Sequence, residues 1–171
     1  MATETVLVSA FIAAPPRKVY SAWLSAKEHA AFTGAEATGD ERVGGKFTAW
    51  DGYISGTNKE LLEGRLIVQA WRTTDFDKRD PDSVLTVHFD PDKGGTHVTI
   101  LHTEIPEGQG VGYQQGWFDY YFDPLRKYFG KGGAKAKKVA AKKSASNVKA
   151  KPAKKVKAPA AKKAAVKKGK K

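Results

Sequence analysis

The 171-residue sequence has no cysteine. Disulfides, thiolate-held zinc or iron–sulfur centres and a cysteine nucleophile are therefore excluded. Histidine is scarce: His29, His88, His97 and His102 are its four copies. None stands in a His-x-x-x-His or His-Glu-x-x-His spacing of the kind that seats a metal. His88, His97 and His102 fall on or beside adjacent strands. His97 and His102 are an odd number of residues apart, so they point to opposite faces. The expectation is that they are surface or half-buried strand residues. No Gly-x-Ser-x-Gly, P-loop or dinucleotide fingerprint is present. Gly108-Gln109-Gly110-Val111-Gly112 is glycine-rich, but it lacks the Lys and Ser/Thr of a phosphate loop and reads as a connection into the last helix. No catalytic, cofactor-binding or metal residue is assigned, and the chain reads as a non-enzyme. No apolar run approaches the ~18 residues of a membrane span. The start, Met-Ala-Thr-Glu, lacks the basic-then-apolar pattern of a secretory signal. A cytoplasmic location is the expectation.

Charge is what the chain has in excess, and it is unevenly placed. The formal net charge is +12. Residues 131–171 hold 17 lysines with no arginine, acid or aromatic. Residues 1–130 hold all 18 acids against 13 bases, and all four Trp, six Tyr and eight Phe. An acidic, aromatic-rich domain over 1–130 is thus joined to a basic tail over 131–171.

The tail repeats Ala-Ala-Lys-Lys at 140–143 and 160–163, and Ala-Lys-Lys-Val at 136–139 and 153–156. Its apolar residues larger than Ala or Pro are Val139, Val148, Val156 and Val166. These cannot offset the ordering entropy of a self-repelling segment, so disorder is expected. The composition resembles the lysine/alanine/proline-rich tails of linker histones. Lysine is a point charge suited to phosphate backbones rather than to bidentate reading of base edges. The candidate nucleic-acid or polyanion contacts are Lys135, Lys137, Lys138, Lys142, Lys143, Lys154, Lys155, Lys162, Lys163, Lys167 and Lys168.

The domain runs strand, two helices, several strands, long helix. Val6 to Ile12 is a β-branched apolar run, ended by Pro15-Pro16, which can also open a helix. Val19, Tyr20, Trp23 and Leu24 give that helix an apolar face. A second short helix covers about 27–33 and closes at Gly34. Strands are read at Phe47–Trp50 after Gly44-Gly45, from Tyr53 after the Asp51-Gly52 turn, at Leu66–Trp71 after Glu63-Gly64, at Val84–Phe89 and at Thr96–Thr103. Residues 75–82 read as a loop and Asp90–Gly95 as a turn. A helix over 110–129 carries Phe118, Phe122, Leu125 and Phe129 beside Trp117, Tyr121 and Tyr128 on one broad aromatic face. Pro124 removes a donor and crowds the Tyr120 carbonyl, which predicts a kink there.

This order is that of the helix-grip fold, an α+β class in which an antiparallel sheet wraps a long C-terminal helix. The segments Arg17-Lys18-Val19-Tyr20-Ser21-Ala22-Trp23, Val43-Gly44-Gly45-Lys46-Phe47, Asp51-Gly52-Tyr53-Ile54-Ser55-Gly56 and Gln115-Gly116-Trp117-Phe118-Asp119-Tyr120-Tyr121-Phe122 resemble homologues of the activator of heat-shock protein 90 ATPase. That family belongs to the START-like, birch-pollen-allergen-like SRPBCC superfamily. The resemblance covers about 4–130 and is to the C-terminal domain of the eukaryotic activator. It implies a non-enzymatic, co-chaperone-like protein whose partner is a heat-shock-protein-90-type chaperone.

Two other functions stay open at the level of residues. Helix-grip domains often leave a cavity under the last helix, and an apolar small molecule carried there would be lined by Phe11, Phe47, Trp71, Leu85, Val87, Phe89, Trp117, Tyr121 and Phe122. The same rings could instead fill a core. The tail alone could make the chain a nucleoid-associated DNA-binding protein. It could also fold back on an acidic cluster of Asp75, Asp77, Asp80, Asp82, Asp90 and Asp92.

The tail reading is tested by gel retardation. The full chain should shift duplex DNA at low salt with a log–log salt slope of about −7, as expected for ~8 neutralised phosphates. A chain ending at Gly130 should lose the shift; unchanged retardation would move DNA binding to the domain.

Overall fold

The computed structural model describes residues 2–130. The lysine-rich segment 131–171, with its expected disorder and polyanion contacts, lies outside them. β1 (Thr3–Ile12) leads through the Pro15-Pro16 step into α1 (Pro16–Leu24) and α2 (Ala26–Thr33). Six strands follow: β2 (Thr38–Gly39), β3 (Lys46–Ala49), β4 (Ile54–Leu62), β5 (Leu66–Thr73), β6 (Ser83–Asp92) and β7 (Gly95–Pro106). The chain closes with α3 (Gly110–Trp117), a π-helical turn (Phe118–Phe122) and α4 (Asp123–Phe129). All seven strands form one antiparallel sheet in the order β1-β7-β6-β5-β4-β3-β2. This is the helix-grip arrangement.

The helical pair is fixed by local chemistry. Pro16 occupies the first turn of α1, where its missing N–H costs nothing. Val19, Tyr20 and Trp23 are buried, so the apolar face points at the sheet. Gly34 ends α2 at φ 77°, donating to the Ala30 carbonyl, a left-handed cap that glycine adopts without strain. In the sheet, side chains alternate. Val6, Val8 and Ala10 of β1, Leu85, Val87 and Phe89 of β6, and Val98 and Ile100 of β7 line the inner face. The closing helix adds Trp117, Tyr121, Phe122 and Leu125.

Several expectations are refined. β2 is not among the expected strands, because two residues carry no periodicity. The turn expected over Asp90–Gly95 is shorter, because β6 and β7 stay paired to Asp92 and Gly95 and only Lys93-Gly94 turns. Trp50 is not in a strand but sits at φ 54°, with Asp51 at 57° and Gly52 at 83°. The Tyr53 N–H closes this turn on the Trp50 carbonyl at 3.0 Å. The kink expected at Pro124 takes the form of a π turn. The Asp123 N–H reaches back five residues to the Phe118 carbonyl, so the helix widens before the residue that has no N–H to give.

The closing helix is tied to the far end of the chain. The Glu4 carboxylate accepts hydrogen bonds from the backbone N–H groups of Gly108, at 3.0 Å, and Gly110. A carboxylate there satisfies free amides and suits the positive end of the helix. Glu4→Ala should lower stability by ~1–2 kcal/mol, read as a lower urea midpoint with unchanged slope. Glu4→Gln should lose less, because its amide oxygen still accepts.

Candidate functional site

The helix-grip interior is an aromatic seam between α1, the sheet and the closing helix. The Trp23 and Trp117 rings stack at 6.2 Å and 29°. Tyr121 lies 5.0 Å from Trp23 and 4.8 Å from Trp117. Trp71 of β5 meets Tyr113 edge-on at 5.1 Å and Trp117 at 5.8 Å. Two cavities flank Trp71 and Tyr121, each with about 20 Å³ of free space, enough for about one water. One opens toward α2 and β3, lined by Trp23, His29, Phe47, Gln69 and Leu85 among others. The other lies under the Trp50 turn, against Tyr53, Tyr113, Trp117 and Tyr120.

The structure divides the residues expected to line one ligand cavity. Phe47, Trp71, Leu85 and Tyr121 border the first cavity, and Trp71, Tyr121 and Trp117 the second. Val87, Phe89 and Phe122 are packed in the core and border neither. Phe11 does not belong to the interior. It is 39% exposed on the outer face of β1, because the inward residues of that strand are the even-numbered ones.

His88 and His97 are exposed as expected, and His97 and His102 point to opposite faces of β7; His102 differs from expectation in being fully buried. His29 is on the buried face of α2. Ser83 Oγ donates its one proton to the Trp71 carbonyl at 2.7 Å, so at 2.8 Å His102 Nε2 must be the donor to Ser83. Nδ1 of His102 then keeps an unpartnered lone pair. His29 Nδ1 donates to the Trp23 carbonyl at 2.8 Å, and its Nε2 is likewise unpartnered. Both rings are therefore neutral. Burial lowers the pKa of His102 to about 3. It lowers that of His29 to about 4, against the opposing hydrogen bond to Trp23. Among the described residues no group of three or more His, Asp or Glu is placed to hold a metal. No helix among them is long and apolar enough to cross a membrane.

A second feature lies on the surface. The loop between β2 and β3 is braced from below by Asn58 and Gln69, both buried. Asn58 Nδ2 donates to the carbonyls of Asp40 and Arg42 at 2.9 and 3.3 Å, and Gln69 Nε2 donates to Asn58 Oδ1 at 2.8 Å. Backbone bonds Gly44 N–H to Asn58 C=O, at 2.8 Å, and Asn58 N–H to Gly45 C=O, at 2.9 Å, complete the clamp. Gly44 sits at φ 80°, and a Cβ on Gly45 would strike the Asp40 carbonyl. The Gly-Gly pair is thus required by this shape. The loop holds Val43 61% exposed at its tip.

The acidic residues do not form one cluster. Asp75, Asp77, Asp80 and Asp82 belong to the loop before β6. There Asp75 accepts from the Tyr53 hydroxyl at 2.7 Å, and Asp82 pairs with Arg72 at 3.0 Å. Asp90 and Asp92 lie at the opposite end of β6, about 25 Å away at ~3.3 Å per residue.

A family model described as activator of Hsp90 ATPase homolog 1-like protein matches residues 13–130. The chain belongs to this family. The activator of 90 kDa heat shock protein ATPase homolog of Dictyostelium discoideum is 31% identical over 128 residues, covering 74% of this chain and 33% of that protein. Homolog 1 from Homo sapiens is 31% identical over 129 residues, covering 75% of this chain and 36% of that protein. The chain therefore spans about a third of the length of these activator relatives. The crystal structure of an HSP90 activator from Plasmodium falciparum superposes with a TM-score of 0.68 at 25% identity, covering 74% of this chain and 96% of that one. The family match takes in both the braced loop and the aromatic closing helix.

Neutral buried histidines make the fold of this family member acid-sensitive. Unfolded histidine titrates near pH 6.5, whereas His29 and His102 stay neutral to about 4 and about 3. Below pH 6.5 the unfolded state thus binds protons that the folded state does not. The stability these rings confer is complete above that pH and falls as pH drops toward 4, by up to ~1.4 kcal/mol per unit for each ring. Urea titrations at stepped pH should show this slope. His102→Gln should flatten it by one histidine's share, whatever it does to stability at neutral pH.

Proposed function

We propose that this chain is a co-chaperone-like protein that binds a heat-shock-protein-90-type chaperone and raises its ATPase rate, performing no chemistry of its own. The observation that carries the reading is the family match over a helix-grip domain whose relatives are named as activators. The packed interior supports a surface role, since its cavities hold only about 20 Å³ each. The braced loop supplies a surface of fixed shape, with Val43 as an apolar contact between Arg42 and the glycine pair. In this reading the lysine-rich segment 131–171 adds affinity for polyanions and acts separately from the domain.

The test is the steady-state ATPase rate of the chaperone from the same organism, titrated with the full chain at a salt concentration that screens the tail. A saturable rise is expected. Val43→Asp should cut the stimulation several-fold without moving the melting temperature, because the side chain is 61% exposed. No rise at saturating protein would remove the reading.

A further inference from the structure

The sheet has two edges, β1 and β2. β2 is two residues long and offers no template. β1 is ten residues long. The direction of its backbone groups follows from the ladder. The Phe89 N–H donates to the Arg65 carbonyl at 2.9 Å, so the odd residues of β6 face β5, and Thr86 and His88 face β7. Their partners Leu101 and Thr99 then face β6, which turns Val98, Ile100 and His102 toward β1. The N–H and C=O groups of Leu7 and Ser9 consequently point away from the sheet. The same parity turns the Phe11 carbonyl outward, and Arg126 Nε reaches it from outside at 3.4 Å. Arg126 thus closes the free row at Phe11, and the Glu4 side chain, held by Gly108 and Gly110, bounds it at the other end.

The open window, Thr5–Ser9, is unguarded. Edge strands are normally protected by lysine, proline or bulges. Here no charged residue occurs from Thr5 to Pro16, and the bulge in this pair, between Glu4 and Val6, touches only Thr5, the first residue of the window. Leu7 is 66% exposed. The window also reads nearly the same in both directions: Thr5-Val6-Leu7-Val8-Ser9.

We propose that β1 is a homodimerisation edge, on which a second copy of this chain pairs antiparallel through Thr5–Ser9 about a twofold axis at Leu7. A closed isologous contact requires a self-complementary patch. The near-palindrome supplies it by setting Leu7 on Leu7, Val6 on Val8, and Thr5 on Ser9 of the second copy. The outward groups of Leu7 give two inter-strand hydrogen bonds across the axis, and those of Ser9, facing Thr5 of the second copy, offer up to four more. Leu7 and its symmetry mate cover each other on the outer face, with no like charges opposed. The inference stands independently of the chaperone reading.

The test is sedimentation of the full chain over a wide concentration range, in enough salt to screen the tails. The wild type should move from monomer to twice its mass. Leu7→Lys places like charges across the axis and should stay monomeric with an unchanged melting temperature. The chain has no cysteine, so a single thiol gives a second readout. Residues paired across the twofold sit ~5.5 Å apart at Cα, within disulfide range. Leu7→Cys should oxidise readily to a covalent dimer, whereas Val111→Cys, at an 81% exposed position, should crosslink far less. A wild type at monomer mass throughout, a dimer that survives Leu7→Lys, or equal crosslinking at both positions would overturn the proposal.

Discussion

The domain depends on burying an aromatic stripe on a helix that is poorly suited to being a helix. The closing segment carries Gly110, Gly112 and Gly116 early and Pro124 late. Interior glycine costs ~1 kcal/mol and proline ~3 kcal/mol relative to alanine, so propensity alone would not hold it. Tertiary contact does. Trp117, Tyr121, Phe122 and Leu125 are buried against Trp23, Trp71 and the sheet. The π turn adapts the helix to its proline, since the widened ladder is complete before Pro124 is reached. The same turn sets Tyr121 beside the stacked pair of Trp23 and Trp117. Glu4 anchors the start of the helix to the first strand, so the two ends of the domain are joined by one carboxylate.

Much of this was legible because it was local. Pro15-Pro16, Gly34 and Asp51-Gly52 act through their own backbone preferences, and α1, α2 and the β3–β4 turn fall where those residues place them. The order of elements, with the four quoted segments, was enough to name the fold. What could not be read depends on partners distant in sequence. β1 is apolar at both parities, so alternation alone could not say that Phe11 faces outward. Only its pairing with β7 and the packing of Val6, Val8 and Ala10 decide that. His29 and His102 are polar in a list of residues. Their burial rests on the Trp23 carbonyl and on Ser83, one strand away. The six aspartates looked like one cluster because they are close in sequence, yet β6 runs between the two groups and separates them by its own length.

The interior is crowded, with two cavities of about 20 Å³ each beside Trp71 and Tyr121. Tyrosine, histidine and tryptophan are abundant under the helix, and several of their polar atoms are spent on neighbours or sealed from solvent. Tyr113 donates to Gln109 at 2.7 Å and meets the Thr73 hydroxyl at 2.8 Å. The unpartnered atoms of His29, His102, Trp50 and Trp117 have no solvent contact.

The brace under the β2–β3 loop is informative in this respect. Burying two amide side chains is costly unless each is hydrogen-bonded, and an apolar pair of similar size would fill the same space more cheaply. Asn58 and Gln69 instead spend their donors on fixing the carbonyls of Asp40 and Arg42 and on each other. The glycine pair accepts the backbone conformation that results. None of this extends the core. Its effect is to hold a short exposed loop in one shape, and a rigid loop loses less conformational entropy when a partner binds it. A surface protein-binding role gives that arrangement a purpose which packing alone does not.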